Sequence, residues 1–189
     1  SGQLGDGTTT NRSSPVDVAG LASGVVAIAA GGDHTCAQLV SGALKCWGAN
    51  GSGEVGDGTT VNRSSPVGVK GLASGVVSVA AGSAHTCAIR TTGGLRCWGA
   101  NTSGQLGNGT TTDVLSPGDV VGLADGISSV SAGTSHTCVT GATGIAQCFG
   151  RNREGEVGDG TTTERWSAVE VRFIAPPLGA VAVTTAGGH

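Results

Sequence analysis

The chain repeats itself every 51 residues. Gly-Gln-Leu-Gly starts at Gly2 and again at Gly104, and Gly-Glu-Val-Gly starts at Gly53 and again at Gly155. The same step carries His34 to His85 and His136, Cys36 to Cys87 and Cys138, Cys46 to Cys97 and Cys148, and Trp47 to Trp98 and Phe149. Only the last interval departs, because His189 follows His136 by 53 residues across the proline-bearing segment 173–178. The repeats therefore run 2–52, 53–103, 104–154 and, in part, 155–189. A unit of this length cannot bury an apolar face by itself, so its copies must stack on one another.

Within one unit the periodicity is that of strands. Residues 24–30 (GVVAIAA) form a β-branched and alanine run between glycines, which reads as a strand buried on both faces. Residues 35–40 and 43–48 flank Ser41-Gly42 and read as a hairpin. A short fourth strand is expected at 15–18 (PVDV), with the proline at its start suited to a sheet edge. Residues 53–60 (GEVGDGTT) are turn chemistry. With 36 glycines and 5 prolines in 189 residues, turns must be frequent, and no segment sustains a capped 3.6-residue apolar period. The fold expected is all-β: propeller blades of four antiparallel strands, one segment over 1–189 with roughly 3.7 repeats.

Composition excludes several function classes. The net charge is −3 and the ten basic residues are scattered singly, so nucleic acid has no electrostatic footprint here. No run approaches the roughly 18 apolar residues of a membrane span, and membrane insertion is not expected. Only 12% of residues are charged against 38% hydrophobic, the opposite of a disordered chain. The absence of an initiator methionine predicts that the sequence begins inside a longer precursor.

The cysteines carry the clearest chemistry. In the hairpin, residues whose numbers sum to 82 oppose one another, so Cys36 faces Cys46; Cys87 and Cys97, and Cys138 and Cys148, repeat the arrangement. Opposed Cβ atoms lie about 4.5–5.5 Å apart, within reach of a disulfide. Three disulfides, one per blade, imply an oxidising compartment: extracellular, cell-surface or periplasmic.

Other candidates reduce to architecture. His34, Cys36 and Cys46 offer three zinc ligands per unit, but no fourth recurs. Asp6, Asp57 and Asp159, with Asn108 in phase, are too sparse for calcium and read as turn caps. The G-x-G-x-x-G match at Gly51, Gly53 and Gly56 opens no helix and is a turn. Asn-x-Ser/Thr triplets at Asn11, Asn50, Asn62, Asn101 and Asn108 follow from composition. No nucleophile constellation emerges, so no catalytic residue, cofactor or metal is expected. Trp47, Trp98 and Phe149 are expected to wedge between blades. Trp166 stands where Ser13 and Ser64 stand, and is either packed under the Pro176-Pro177 turn or exposed as a contact. Arg151, Arg153, Arg165 and Trp166 form the only cluster resembling an interaction patch.

The blocks AGGDHTCAQL, SGALKCWGANGSGEVGDGTT and RSSPVGV resemble regulator-of-chromosome-condensation repeats, a family of seven-bladed propellers. The cysteine-bearing form is similar to secreted or surface versions in bacteria. The resemblance implies a rigid disc with a protein-binding face. Nucleotide exchange on a small GTPase in this family uses a wedge inserted in one blade, for which the uniform spacing leaves no place. The family's light sensors carry clustered tryptophans just before the repeat histidine, where this chain has Asp33, Ala84 and Ser135. The function expected is a non-catalytic secreted or surface module for protein interaction or extracellular structure. The alternatives are an enzyme-inhibiting propeller and, by family name only, a guanine-nucleotide exchange factor. Because the sequence starts and stops within a blade, it is expected to be an excerpt of a longer propeller. Otherwise copies pair edge to edge, as a homo-oligomer or a filament.

Overall fold

The computed structural model describes residues 1–172, so the segment 173–178 with Pro176-Pro177, and His189, lie outside the described residues. Twelve strands fill three sheets, with no helix among the described residues. The first sheet is β1 (Val25–Ala30), β2 (His34–Leu39), β3 (Leu44–Gly48) and β4 (Arg63–Gly68), each hydrogen-bonded to the next. The second is β5 (Val76–Ala81), β6 (His85–Arg90), β7 (Leu95–Gly99) and β8 (Val114–Asp119). The third is β9 (Ile127–Ala132), β10 (His136–Gly141), β11 (Ala146–Gly150) and β12 (Arg165–Glu170). Every pairing is antiparallel.

The central hairpin of each sheet has the register that the cysteine spacing implies. Cys36 lies opposite Cys46, Cys87 opposite Cys97 and Cys138 opposite Cys148. In each pair the Cα atoms are 4.1 Å apart and the sulfurs are bonded. Gly42, with φ +75°, makes the turn between β2 and β3 in a region that side-chain-bearing residues avoid.

The outer strand differs from expectation in phase and in form. β4 belongs to the sequence repeat 53–103 yet completes the sheet begun at Val25, so each blade takes its outer strand from the following repeat. Residues 15–18, the corresponding position of the first repeat, form no strand. Nor does proline open the strand: Pro66 and Pro117 are fourth in β4 and β8, inside the irregularity where the partners of Cys46 and Gly48, and of Cys97 and Gly99, lose step. A residue without an N–H sits there at no loss to the ladder.

The strand at 24–30 is also less buried than its composition suggests. β1 alternates between half-buried and exposed, and β5 and β9 are mostly half-buried. Each is an edge of its own sheet, so one ladder side has no strand beside it. These three inner strands converge, β5 packing on β1 and β2, and β9 on β5 and β6. The blades therefore stack around a common hub as a partial propeller. The core lies between them: Leu44, Leu72 and Val76 pack with Trp98, and Ile89, Leu95 and Leu123 pack with Phe149. The first two disulfides line the face turned to the next blade: Cys36–Cys46 shares the Trp98 cluster and Cys87–Cys97 the Phe149 cluster, whereas Cys138–Cys148 packs with Val157.

Candidate functional site

Polar residues that recur with the repeat bind neighbouring blades and loops together. Thr86 on β6 donates its hydroxyl proton to the Glu54 carbonyl (2.9 Å), so its oxygen accepts from Nε2 of His34 on β2 (2.8 Å). The Trp98 indole donates to the same carbonyl at 2.8 Å. This fixes the proton of His34 on Nε2 and leaves Nδ1 buried without a partner. The next interface repeats the relay through His85, Thr137 and the Gln105 carbonyl, at 2.9 Å for each step. Phe149, in the tryptophan position, has no N–H to add there.

Burial pushes His34 down to about 4 against a small opposing pull from Asp33. Burial pushes His85 to about 3, with repulsion from His34 and His136 adding to it. Both rings are neutral near pH 7 and reach only across the blade interface. A Cβ on Gly82 would stand 2.2 Å from His85 Cε1 and 2.5 Å from the Gly133 carbonyl, which is why the residue before this turn is glycine.

The loop after each hairpin is built on an asparagine and an aspartate. Asn50 is fully buried; its Nδ2 donates toward the Thr59 and Val61 carbonyls (3.0 and 3.1 Å), and its Oδ1 accepts from Val55 N (2.9 Å). Asn101 and Asn152 do the same, so Asn50 and Asn101 are not surface acceptors for glycans. Asp57 Oδ1 caps Thr59, and Oδ2 accepts from Arg63 Nε at 2.7 Å. Burial raises Asp57, but the Thr59 and Arg63 hydrogen bonds outweigh it and leave the carboxyl below its usual range. Asp159, braced by Thr161 and Arg165 against the same burial effect, is lowered to about 2. Asp6 with Arg12 repeats the brace.

The expected patch of Arg151, Arg153, Arg165 and Trp166 is brought together, since Gly150 pairs with Arg165 at the junction of β11 and β12. Its arginines are engaged. Arg151 Nε lies 3.4 Å from Glu156, Arg153 Nε 3.1 Å from Glu164, and Arg165 Nε 2.6 Å from Asp159. Arg165 is the scaffold brace found at Arg63 and Arg12. What remains presented to solvent is Arg153, whose side chain is 72% exposed, and Trp166 at 50%. Trp166 lies over Gly104, as Leu115 lies over Gly53 and Ser64 over Gly2.

Two family models, both described as Regulator of chromosome condensation (RCC1) repeat, match the chain. One matches residues 25–54, 76–105 and 127–156, and the other residues 1–38, 41–89 and 92–140. The chain is 33% identical over 168 residues to the ultraviolet-B receptor UVR8 of Arabidopsis thaliana, covering 87% of this chain and 38% of the receptor. It is 34% identical over 166 residues to the probable E3 ubiquitin-protein ligase HERC3 of Homo sapiens, covering 85% of this chain and 16% of the ligase. The crystal structure of Prp20p from Saccharomyces cerevisiae, described with its binding properties to Gsp1p and histones, superposes with a TM-score of 0.72 at 22% identity. That match covers 80% of this chain and 39% of Prp20p. At that identity the likeness speaks for the fold alone. The chain spans less than two fifths of either curated relative.

Proposed function

The chain belongs to the regulator of chromosome condensation repeat family, and from that premise we propose that it is a non-catalytic, rigid protein-interaction module of an oxidising compartment. The observation that carries the proposal is a division of labour among its residues. The histidines, asparagines and aspartates that recur with the repeat are tied into blade interfaces and loops, whereas Trp166 recurs nowhere and is half exposed. Trp166 and Arg153, the latter paired with Glu164 two residues before the tryptophan, are of the residue types enriched in interface anchors. The three bonded cysteine pairs support an extracellular, cell-surface or periplasmic location.

The test compares the wild-type chain with Trp166→Ser, the residue that Ser64 supplies at the same place in the first blade. Both are immobilised and exposed to the extracellular fraction and, separately, to the cytosol of the source cells. We expect a partner retained from the extracellular fraction by the wild type and lost by the variant, at unchanged melting temperature. Equal retention by both, or a partner found in the cytosol only, would overturn the proposal.

A further inference from the structure

The second blade departs from its neighbours at one place. Leu39, Arg90 and Gly141 occupy one repeated position, Lys45, Arg96 and Gln147 a second, and Gly68, Asp119 and Glu170 a third. Ladder pairing sets Arg96 opposite both Ala88 and Asp119, and Arg90, two residues beyond Ala88 on β6, shares that face of the sheet. Among the described residues only this blade gathers two arginines and one carboxylate there.

The two guanidiniums are not in the same state. Arg96 Nε lies 3.0 Å from Asp119 Oδ1, a carboxylate whose side chain is 80% exposed. Arg90 has no carboxylate paired with it among the described residues, and its Nε is buried without a hydrogen-bond partner. Both arginines line a groove of about 320 Å³ where the β6–β7 turn meets the end of β8. Thr92 and Gly94 also line it, and Leu95 and Val120, buried in the Phe149 cluster, underlie it. Leucine serves the first blade at the Arg90 position, so folding does not require a cation there. The Arg90 guanidinium lines the groove with its charge unpaired among the described residues, and an incoming anion would neutralise it.

Charge and size narrow what that acceptor is. Asp119 neutralises one arginine, so a single positive charge is left in the groove, which one carboxylate balances. A dianionic phosphate would meet Asp119 as a neighbour of like charge. The volume, about 320 Å³, is at the lower end of ligand sites and admits a side chain together with its flanking backbone. We propose that the groove binds a glutamate or aspartate side chain of a partner's peptide segment, held by the terminal N–H groups of the Arg90 guanidinium. This deepens the assignment of the molecule as a protein-interaction module and rests on it, but it does not use the Trp166 patch.

The experiment uses the full chain and two blocked tripeptides, acetyl-Ala-Glu-Ala-amide and its Gln counterpart. The Arg90 Nε–H resonance is followed in a ¹H–¹⁵N spectrum and assigned by its disappearance in Arg90→Lys. The Glu peptide should shift it saturably and the Gln peptide should leave it in place. Arg90→Leu should weaken the Glu peptide about tenfold or more. Arg90→Lys, which keeps the charge but loses the guanidinium, should weaken it as well. Chemical shifts outside the groove report on folding, and the lysine variant decides should leucine disturb them. The same shift from both peptides, an affinity unchanged in Arg90→Leu, or inorganic phosphate outcompeting the Glu peptide at equal concentration overturns the proposal. A purified tripeptide is read here, so failure of the groove is separable from failure of partner capture through Trp166.

Discussion

At the scale of single residues, polar side chains hold loops that have little apolar surface of their own. Asn50 ties its own turn to residues 55–61, and the aspartate–arginine brace lies beside it. The brace was legible in the sequence although it was not read there: three repeats carry aspartate and arginine six apart, and the repeat with Asn108 carries Val114 in place of the arginine. The two losses go together because a lone guanidinium would have nothing to neutralise. The burial of Asn50 and Asn101 was not legible, since an Asn-x-Ser/Thr triplet looks alike inside and outside a loop. The histidine relay gives two predictions. Thr137→Val leaves the His85 Nε2–H buried without an acceptor and should cost about 1–3 kcal/mol in urea unfolding. The second concerns pH. Burial holds the folded His85 at about 3 against 6.5 for an ordinary imidazole, so between these limits the unfolded chain binds the extra proton. Stability is then full above pH 6.5 and falls as pH drops toward 3, by up to about 1.4 kcal/mol per unit for each such histidine. Asp159, at about 2 against 3.8, adds to the loss below pH 3.8. Urea midpoints that stay level from pH 6.5 to 4 would show that the folded imidazoles accept protons.

At the scale of elements, the hairpin was readable and the outer strand was not. Cysteines ten apart around Ser41-Gly42 define the register outright, whereas a repeating sequence carries no mark of where a blade begins. The bulged step of the outer strand is equally silent, because Pro66 fits an edge at its start or in its middle. The bulge makes a prediction at Ala168, which fills in β12 the slot of Pro66 and Pro117. Ala168→Pro should be neutral or stabilising by up to about 1 kcal/mol, through the unfolded chain, whereas proline at Val169, opposite Cys148 and in step with Val171, whose N–H donates to the Ala146 carbonyl, should destabilise clearly. Thermal melts of the two variants decide it. Replacing Cys36 and Cys46 together by alanine should cost about 2–3 kcal/mol, since the bond closes a short loop. A smaller loss would mean that the hairpin is already formed in the unfolded chain.

At the scale of the molecule, identical positions in the repeat have different worth according to what stands beside them. Val55 and Leu106 are buried at blade interfaces, but Leu4, their counterpart, is 42% exposed. Val79 and Val130 pack into interface clusters, while Ile28 is 58% exposed. Periodicity in the sequence treats these residues alike, because it records the unit and not its neighbours. Val55→Ser should therefore cost about 2–4 kcal/mol, and Leu4→Ser less than about 0.5. Equal costs in paired unfolding curves would mean that Leu4 is covered in solution, and sedimentation of the wild type would then reveal the second copy. The staggered origin of each blade bears also on how the chain emerges from a ribosome. The disulfide-bearing hairpin of the first blade is finished at Gly48, but the strand that closes it, β4, follows only at Arg63–Gly68, inside the next unit. Every nascent blade thus waits with a bare edge until its successor has begun to appear. Translation supplies closure one step late, and an oxidant present at the exit site would fix each hairpin before its sheet is whole.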